Sequence, residues 1–165
     1  MKTFKTLLLL AVTTIFIAAC GKEDTPPEPT VVADGTYIGT MTVYNEEGDS
    51  KHYEQKDVSI IIEKGEGDFI NIKMQQVQFD ERMPIKLNIT IPDVSTVTEE
   101  TGFSFSGDNI LPLIGEDGSS DQFKMDDLEG STTQDSTTFS VMCDIQVGPI
   151  DGTYLLSFTG TKVTK

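Results

Sequence analysis

The chain has no tryptophan, four tyrosines, one histidine and two cysteines, and its 12 lysines and arginines are outnumbered by 27 aspartates and glutamates. Each scarcity removes a class of function. The single histidine, His52, would have to serve any serine-based triad, and Gly102-Phe103-Ser104-Phe105-Ser106-Gly107 fails the Gly-x-Ser-x-Gly spacing that presents a nucleophile on a sharp turn. Lying beside Tyr53 at a strand start, after the turn Asn45 to Ser50, His52 reads as an exposed surface residue. Phosphate-cradling glycine loops, dinucleotide fingerprints and zinc-ligand spacings are all missing, so no cofactor is expected. Without tryptophan the chain lacks the usual aromatic platform for stacking sugars, and paired carboxylates are the one enzymatic route left; the expectation is a protein that binds rather than catalyses. The shortage of basic residues disfavours nucleic acid, lipopolysaccharide phosphates and acidic polysaccharides as partners. Cationic partners or divalent ions fit better, and a solvated acidic surface needs no partner at all.

The longest apolar run is also short. Lys2 and Lys5 precede Leu7 to Ile17, broken only by Thr13 and Thr14, and the small Ala18 and Ala19 lead to Cys20 and the charged Lys22-Glu23-Asp24. A spanning helix needs about 20 apolar residues, so this is the grammar of a signal peptide over residues 1–19. Ile17-Ala18-Ala19-Cys20 resembles the lipobox of bacterial lipoproteins, which implies cleavage before Cys20 and acylation of its sulfur and amine. Two or three acyl chains, at about 0.8 kcal/mol per buried methylene, anchor a protein to a membrane without a helix. Gly21, where an aspartate would favour inner-membrane retention, points to the outer membrane. Lys22-Glu23-Asp24 is similar to a surface-export signal of Bacteroidetes lipoproteins; display at the cell surface and the inner leaflet of the outer membrane both stay open. Removal of residues 1–19 leaves 10 basic and 27 acidic residues, −17 net. With Cys20 acylated, Cys143 has no disulfide partner and stability must come from one hydrophobic core.

Residues 20–33 carry Pro26, Pro27 and Pro29 among charged and small residues, a tether that at about 3.1 Å per residue reaches on the order of 40 Å. From residue 34 to 165 the apolar pattern has period two almost throughout, and the domain reads as all-β. Ile85, Leu87, Ile89 and Ile91 alternate with polar residues until Pro92-Asp93, which is expected to stop the strand. Val58, Ile60 and Ile62 form another apolar face. In Phe69 to Phe79 the apolar set shifts phase after Met74, predicting a β-bulge near Gln75-Gln76. Phe103-Ser104-Phe105 and the set Phe139, Val141, Cys143, Ile145 and Val147 give two more strands, with Cys143 on the buried face as an inert thiol. Gly107 to Gly130 is the least regular stretch, with room for a short strand around Phe123 to Leu128. Asp-Gly-Thr-Tyr opens a strand at 34–37 and again at 151–154, consistent with first and last strands that pair and close a barrel. The expectation is a single antiparallel barrel of about eight strands, with a β-sandwich as the alternative.

The opening Asp34-Gly35-Thr36-Tyr37-Ile38-Gly39-Thr40-Met41-Thr42-Val43 and the closing Gly152-Thr153-Tyr154-Leu155-Leu156-Ser157-Phe158-Thr159-Gly160-Thr161, behind the lipobox and tether, resemble the calycin-like β-barrel lipoproteins of Bacteroidetes. That resemblance implies an eight-stranded, lipocalin-like barrel and carries no established activity. Lipocalins open with Gly-x-Trp; here Gly35-Thr36-Tyr37 offers a tyrosine, and a barrel this small can fill its interior with side chains.

The functional expectation is a lipid-anchored envelope protein that binds a small apolar ligand in its barrel or a macromolecule at its loops. The alternative is an inhibitor or structural partner of secreted or envelope proteins, with Ile110, Leu111, Leu113 and Ile114 as the contact surface. Glu116, Asp117, Asp121, Asp126 and Asp127 could supply oxygen ligands to calcium, although their spacing is not that of an EF-hand. Asp135-Ser136-Thr137 resembles an O-glycosylation acceptor of exported Bacteroidetes proteins, with Ser136 as the acceptor. The anchor has a direct test: cells fed labelled palmitate should label the wild-type protein and not Cys20→Ser, and equal labelling of both would refute acylation at Cys20.

Overall fold

The computed structural model describes residues 34–99, 102–115, 118–148 and 152–164. The expected signal peptide, Cys20 and the expected tether lie outside them, as do Glu116 and Asp117. Nine strands follow in order: β1 (Gly35–Tyr44), β2 (Lys51–Lys64), β3 (Phe69–Val77), β4 (Leu87–Glu99), β5 (Gly102–Gly107), β6 (Leu113–Ile114), β7 (Met125–Thr133), β8 (Thr138–Gln146) and β9 (Thr153–Lys162). Eight of them hydrogen-bond in the ring β3-β2-β1-β9-β8-β7-β5-β4, which the β3–β4 pairing closes, every neighbour antiparallel. The expected barrel, rather than the β-sandwich alternative, is therefore the observed fold. β6 is a ninth, two-residue strand that pairs with β4 at Ile89 and Thr90, below the reach of β5.

β1 and β9 pair over eight residues, from Tyr37 opposite Lys162 to Tyr44 opposite Leu155. Gly39 faces Gly160 at the tightest point of this seam, where a side chain on Gly39 would overlap the backbone of Thr159 and Gly160. Only glycine lets the two strands approach so closely.

Register shifts mark where the sheet bends. Gln75 and Gln76 together oppose one residue of β4, as the phase shift after Met74 predicts, and Gln76 takes a left-handed φ of 52°. The Asn88 side chain accepts the Gln76 N–H at 3.0 Å, replacing a ladder bond that the bulge removes. Pro92-Asp93 does the same in the opposite strand. β4 continues through these residues to Glu99, which corrects the expected stop: proline's missing N–H falls at a bulge opposite Asn71, and Asn71 Oδ1 accepts the Asp93 N–H at 3.1 Å. Ile85, in turn, is not part of the strand and is 63% exposed. The expected short strand from Phe123 is also displaced. Phe123 ends a single 3-10 turn, Asp121–Phe123, and β7 runs on to Thr133.

Alternation of buried and exposed residues along each strand places one apolar face in the lumen. One end, here called the base, holds the β2–β3, β4–β5 and β7–β8 connections and both ends of the described chain. The other end, the mouth, holds the β1–β2, β3–β4, β5–β7 and β8–β9 connections. An aromatic stack fills the base: Tyr37 and Phe139 have ring centroids 5.2 Å apart, Phe139 and Phe105 stack at 5.2 Å with 5° between their planes, and Phe158 lies 6.0 Å from Phe139. Gly130 makes room for Phe105, whose ring a Cβ there would overlap. Isoleucine and methionine side chains, all nearly inaccessible, fill the middle, and Phe79, Met83, Phe123 and Val147 fill the mouth. Cys143 is buried among them, and burial pushes its thiol up to about 12, so it stays protonated and inert.

Tyr37 stands at the third position of the opening Gly-Thr-Tyr. Its ring is in the core, its hydroxyl donates to the carbonyl of Ser136 at 3.1 Å, and the Lys162 ammonium lies 5.9 Å from its ring centre. Burial, then the charge of Asp34, pushes its ionisation up to about 12. The fold thus favours the neutral phenol, a contribution complete below the unfolded value of about 10 and lost as pH rises through about 12. Tyr37→Phe should cost about 1 kcal/mol at neutral pH for the lost hydrogen bond, and should lose less stability than wild type between about pH 10 and 12, measured by denaturant unfolding at each pH.

Candidate functional site

The charged centre of the molecule lies at the mouth, on residues far apart in sequence. β2 begins with a bulge: Val43 faces Tyr53 while Tyr44 faces Lys51, leaving His52 as the extra residue. A bulge re-aims its side chain, and His52 reaches Asp80 in the β3–β4 connection, Nε2 to Oδ2 at 2.5 Å. Asp80 is buried, flanked by the core residue Phe79. Its Oδ1 also accepts from the Arg82 backbone N–H at 2.6 Å and from Arg82 Nε at 2.8 Å, and its Oδ2 from Arg82 Nη2 at 2.8 Å. The carboxylate thus accepts four hydrogen bonds, the number its lone pairs allow. The Arg82 guanidinium beside it, with its backbone N–H and His52, holds the Asp80 carboxyl well below the usual range despite burial. Reciprocally, Asp80 favours the charged form of Arg82, and the Tyr154 hydroxyl adds to that. The His52 ring packs against Tyr154 at 5.0 Å. Arg82 and His52 are the sole arginine and sole histidine of the sequence, and both bind one carboxylate.

Chemically this cluster is a clamp. A carboxylate whose acceptor positions are all taken has none left to receive a substrate proton. Among the described residues no hydroxyl or thiol is hydrogen-bonded to His52, so the histidine has no nucleophile to activate. His52 is exposed at the start of β2, as the sequence reading has it; what that reading misses is its bond to the buried Asp80. The bond spans 28 residues and depends on the register of β2 and on a bulge that no local pattern signals. The sequence signal available was the scarcity itself, one histidine and one arginine, with Asp80-Glu81-Arg82 set between Phe79 and Met83-Pro84.

The residues singled out from sequence fall elsewhere. Ile110 exchanges backbone hydrogen bonds with Met125 at 2.8 and 2.9 Å, and with Ile114 it packs on the core, whereas Leu111 and Leu113 are 44% and 37% exposed. The segment is thus pinned by its isoleucines and presents its leucines. Asp121 is the first residue of the 3-10 turn, Asp126 is paired with Lys124 at 2.9 Å, and Asp127 sits at a bulge with a φ of 48°. Among the described residues no three acidic, histidine or cysteine side chains converge to hold a metal ion. Asp144, which the sequence does not single out, has its carboxyl raised by burial and then by the charges of Asp127 and Asp126. Ser136 is buried in the β7–β8 turn at a φ of 55°, and its hydroxyl has no partner. In the folded domain the hydroxyl expected as the glycan acceptor therefore faces inward, because the turn folds in.

A depression of about 510 Å³ lies over β5, β7, β8 and β9, lined by Ser104, Ser131, Ser140 and Met142 among others.

A family described as a calycin-like beta-barrel domain matches residues 33–161. No curated protein matches the chain. Among solved structures, a "putative outer membrane protein" from Bacteroides fragilis is similar with a TM-score of 0.58 and 16% identity, over 79% of this chain and 51% of its own. The chain spans about half the length of that protein, and at this identity the likeness is one of fold.

Because Asp80 favours its ionised form in the fold, its contribution is present above the unfolded value of about 3.9 and is lost as pH falls through the depressed folded value. Asp80→Asn should lower stability by about 1–3 kcal/mol at pH 7. Urea unfolding at stepped pH should show that difference holding from about pH 8 to 5 and narrowing below about pH 4; a difference that grows on acidification would overturn the assignment.

Proposed function

The chain belongs to the calycin-like β-barrel domain family, and from that premise we propose that it is a lipid-anchored, non-enzymatic binding protein of the bacterial envelope that meets a protein partner with the mouth of its barrel. The observation that carries this reading is the filled lumen beside the exposed leucines. Aromatic rings close the base, and Phe79, Met83 and Phe123 close the mouth, so the place where a lipocalin-like barrel would hold a ligand is occupied by its own side chains. Leu111 and Leu113 stand at the mouth on a segment fixed to the barrel by Ile110 and Ile114. Rigidly held apolar side chains of this kind favour association because little ordering is left to do on binding.

The position of the chain start gives the proposal a direction. Asp34 leaves the barrel at the base, so an anchor on Cys20 would hold that end toward the membrane and present the mouth away from it. Supporting an outer-membrane setting are the lipobox-like run before Cys20, Gly21 directly after that cysteine, and the "putative outer membrane protein" designation of the similar solved structure. A small apolar ligand in the lumen is the alternative reading, and it requires the mouth residues to move.

Two measurements separate these readings. Titration with cis-parinaric acid should give no saturable fluorescence at micromolar concentrations; one-to-one binding would establish the carrier instead. A photo-crosslinking amino acid at position 113 should yield discrete protein adducts in intact cells, and one at Phe69, exposed at the base, should not. Adducts at 69 alone would turn the proposed orientation around.

A further inference from the structure

We infer that residues 78–86, the β3–β4 connection, form a hinged cap over the barrel mouth that the Asp80 clamp holds shut. The inference goes beyond the binding role and concerns how the mouth is kept closed. Among the described residues, no backbone–backbone hydrogen bond joins this connection to the rest of the barrel between the paired residues Val77 and Leu87; the one such bond it makes, Met83 N–H to the Asp80 carbonyl at 3.1 Å, is internal. A segment without ladder bonds opens as a unit when its side-chain ties are cut.

The connection's polar ties are few: those of Gln78 and Asp80 run to the start of β2, and Arg82 meets the Tyr154 hydroxyl of β9. Asp80 binds His52, while Gln78 accepts from Tyr53 at 3.4 Å and donates its N–H to Gln55 at 3.0 Å. The bonds at Gln78 are between neutral groups, and those at Asp80 are charge-assisted, so the clamp is the stronger tie. Inside the cap the strands of bonding converge: Gln78 Nε2 donates to the Met83 carbonyl at 2.7 Å, and Arg82 locks Asp80 from the outer side. The cap therefore moves with Phe79 and Met83 attached. Closed, it seats both side chains in the mouth, Phe79 against Phe123 at 6.1 Å. Open, it exposes them together with the top of the lumen. The adjacent bulge at Gln76, already in the left-handed region, supplies a break in the ladder at one hinge.

The methionines of the full chain report on this directly. Met142 is 45% exposed, Met83 belongs to the cap, and Met41, Met74 and Met125 are buried in the lumen. In wild type, mass spectrometry after timed exposure to dilute hydrogen peroxide should show Met142 oxidised first and Met83 protected like the lumen methionines. His52→Gln removes the Asp80 tie to β2, and Arg82→Gln removes the contact with Tyr154 of β9 together with the fork that holds Asp80 in place; Arg82 is an exposed side chain whose loss leaves the core intact. Each should raise the Met83 rate about tenfold, toward that of Met142, with Met41, Met74 and Met125 unchanged. Two results overturn the inference. Met83 staying as slow as Met74 in both variants means the clamp does not hold the cap; Met41, Met74 and Met125 accelerating together with Met83 means the connection opens only with the whole barrel.

Discussion

The pairing of β1 with β9 is the constraint from which the rest of the molecule follows. It joins the ends of an eight-strand meander, so each of the eight ring strands has two hydrogen-bonded neighbours, and only the two-residue β6 sits at an edge. A closed ring of eight strands has a lumen just wide enough for side chains. The seam itself demands Gly39 and Gly160, and the curvature it imposes is relieved by bulges in β2, β3, β4 and β7. With the lumen filled and the edges used, what is left for recognition is the outer wall and the two ends. The base carries the chain start, which leaves the mouth as the end free to face a partner.

Much of the wall was legible because period-two alternation is a local property. Val58, Ile60 and Ile62 announce an inward face without reference to any other strand, as do Phe139 to Ile145. The phase change after Met74 marked a bulge for the same reason. Pro92 misled because a missing N–H looks like a strand end unless the opposing residue is known to be Asn71, which takes over the bonding. β7 was harder still. The bulge at Asp127 shifts its phase, and two of the residues that then point inward, Gly130 and Thr132, are not hydrophobic, so no apolar alternation advertises the strand.

The site was less legible than the fold. Leu111 and Leu113 were found because an apolar knot in an irregular stretch is visible in one dimension. The clamp was not, since His52, Asp80 and Arg82 belong together only through the register of β2, an extra residue at its start and a connection that folds back over the mouth. Ser136 shows the same limit from the other side. Polar residues around it suggested an exposed turn, yet the turn tucks in to place its carbonyl on the Tyr37 hydroxyl.

A buried aspartate is an unexpected choice in a chain with a net charge of −15, where every added carboxylate raises self-repulsion. An isolated buried charge costs several kcal/mol, and only well-placed cations and hydrogen bonds offset it. Here the chain commits its sole arginine and sole histidine to that task, and the two differ in kind. Arginine offers a planar fork that fits both carboxylate oxygens and stays charged, while histidine reaches from the opposite wall and ties the connection to the barrel. A leucine at position 80 would avoid the desolvation cost but would tie nothing to β2. The aspartate is therefore better explained by position than by stability: it fixes where the β3–β4 connection lies, and with it the side chains that close the mouth.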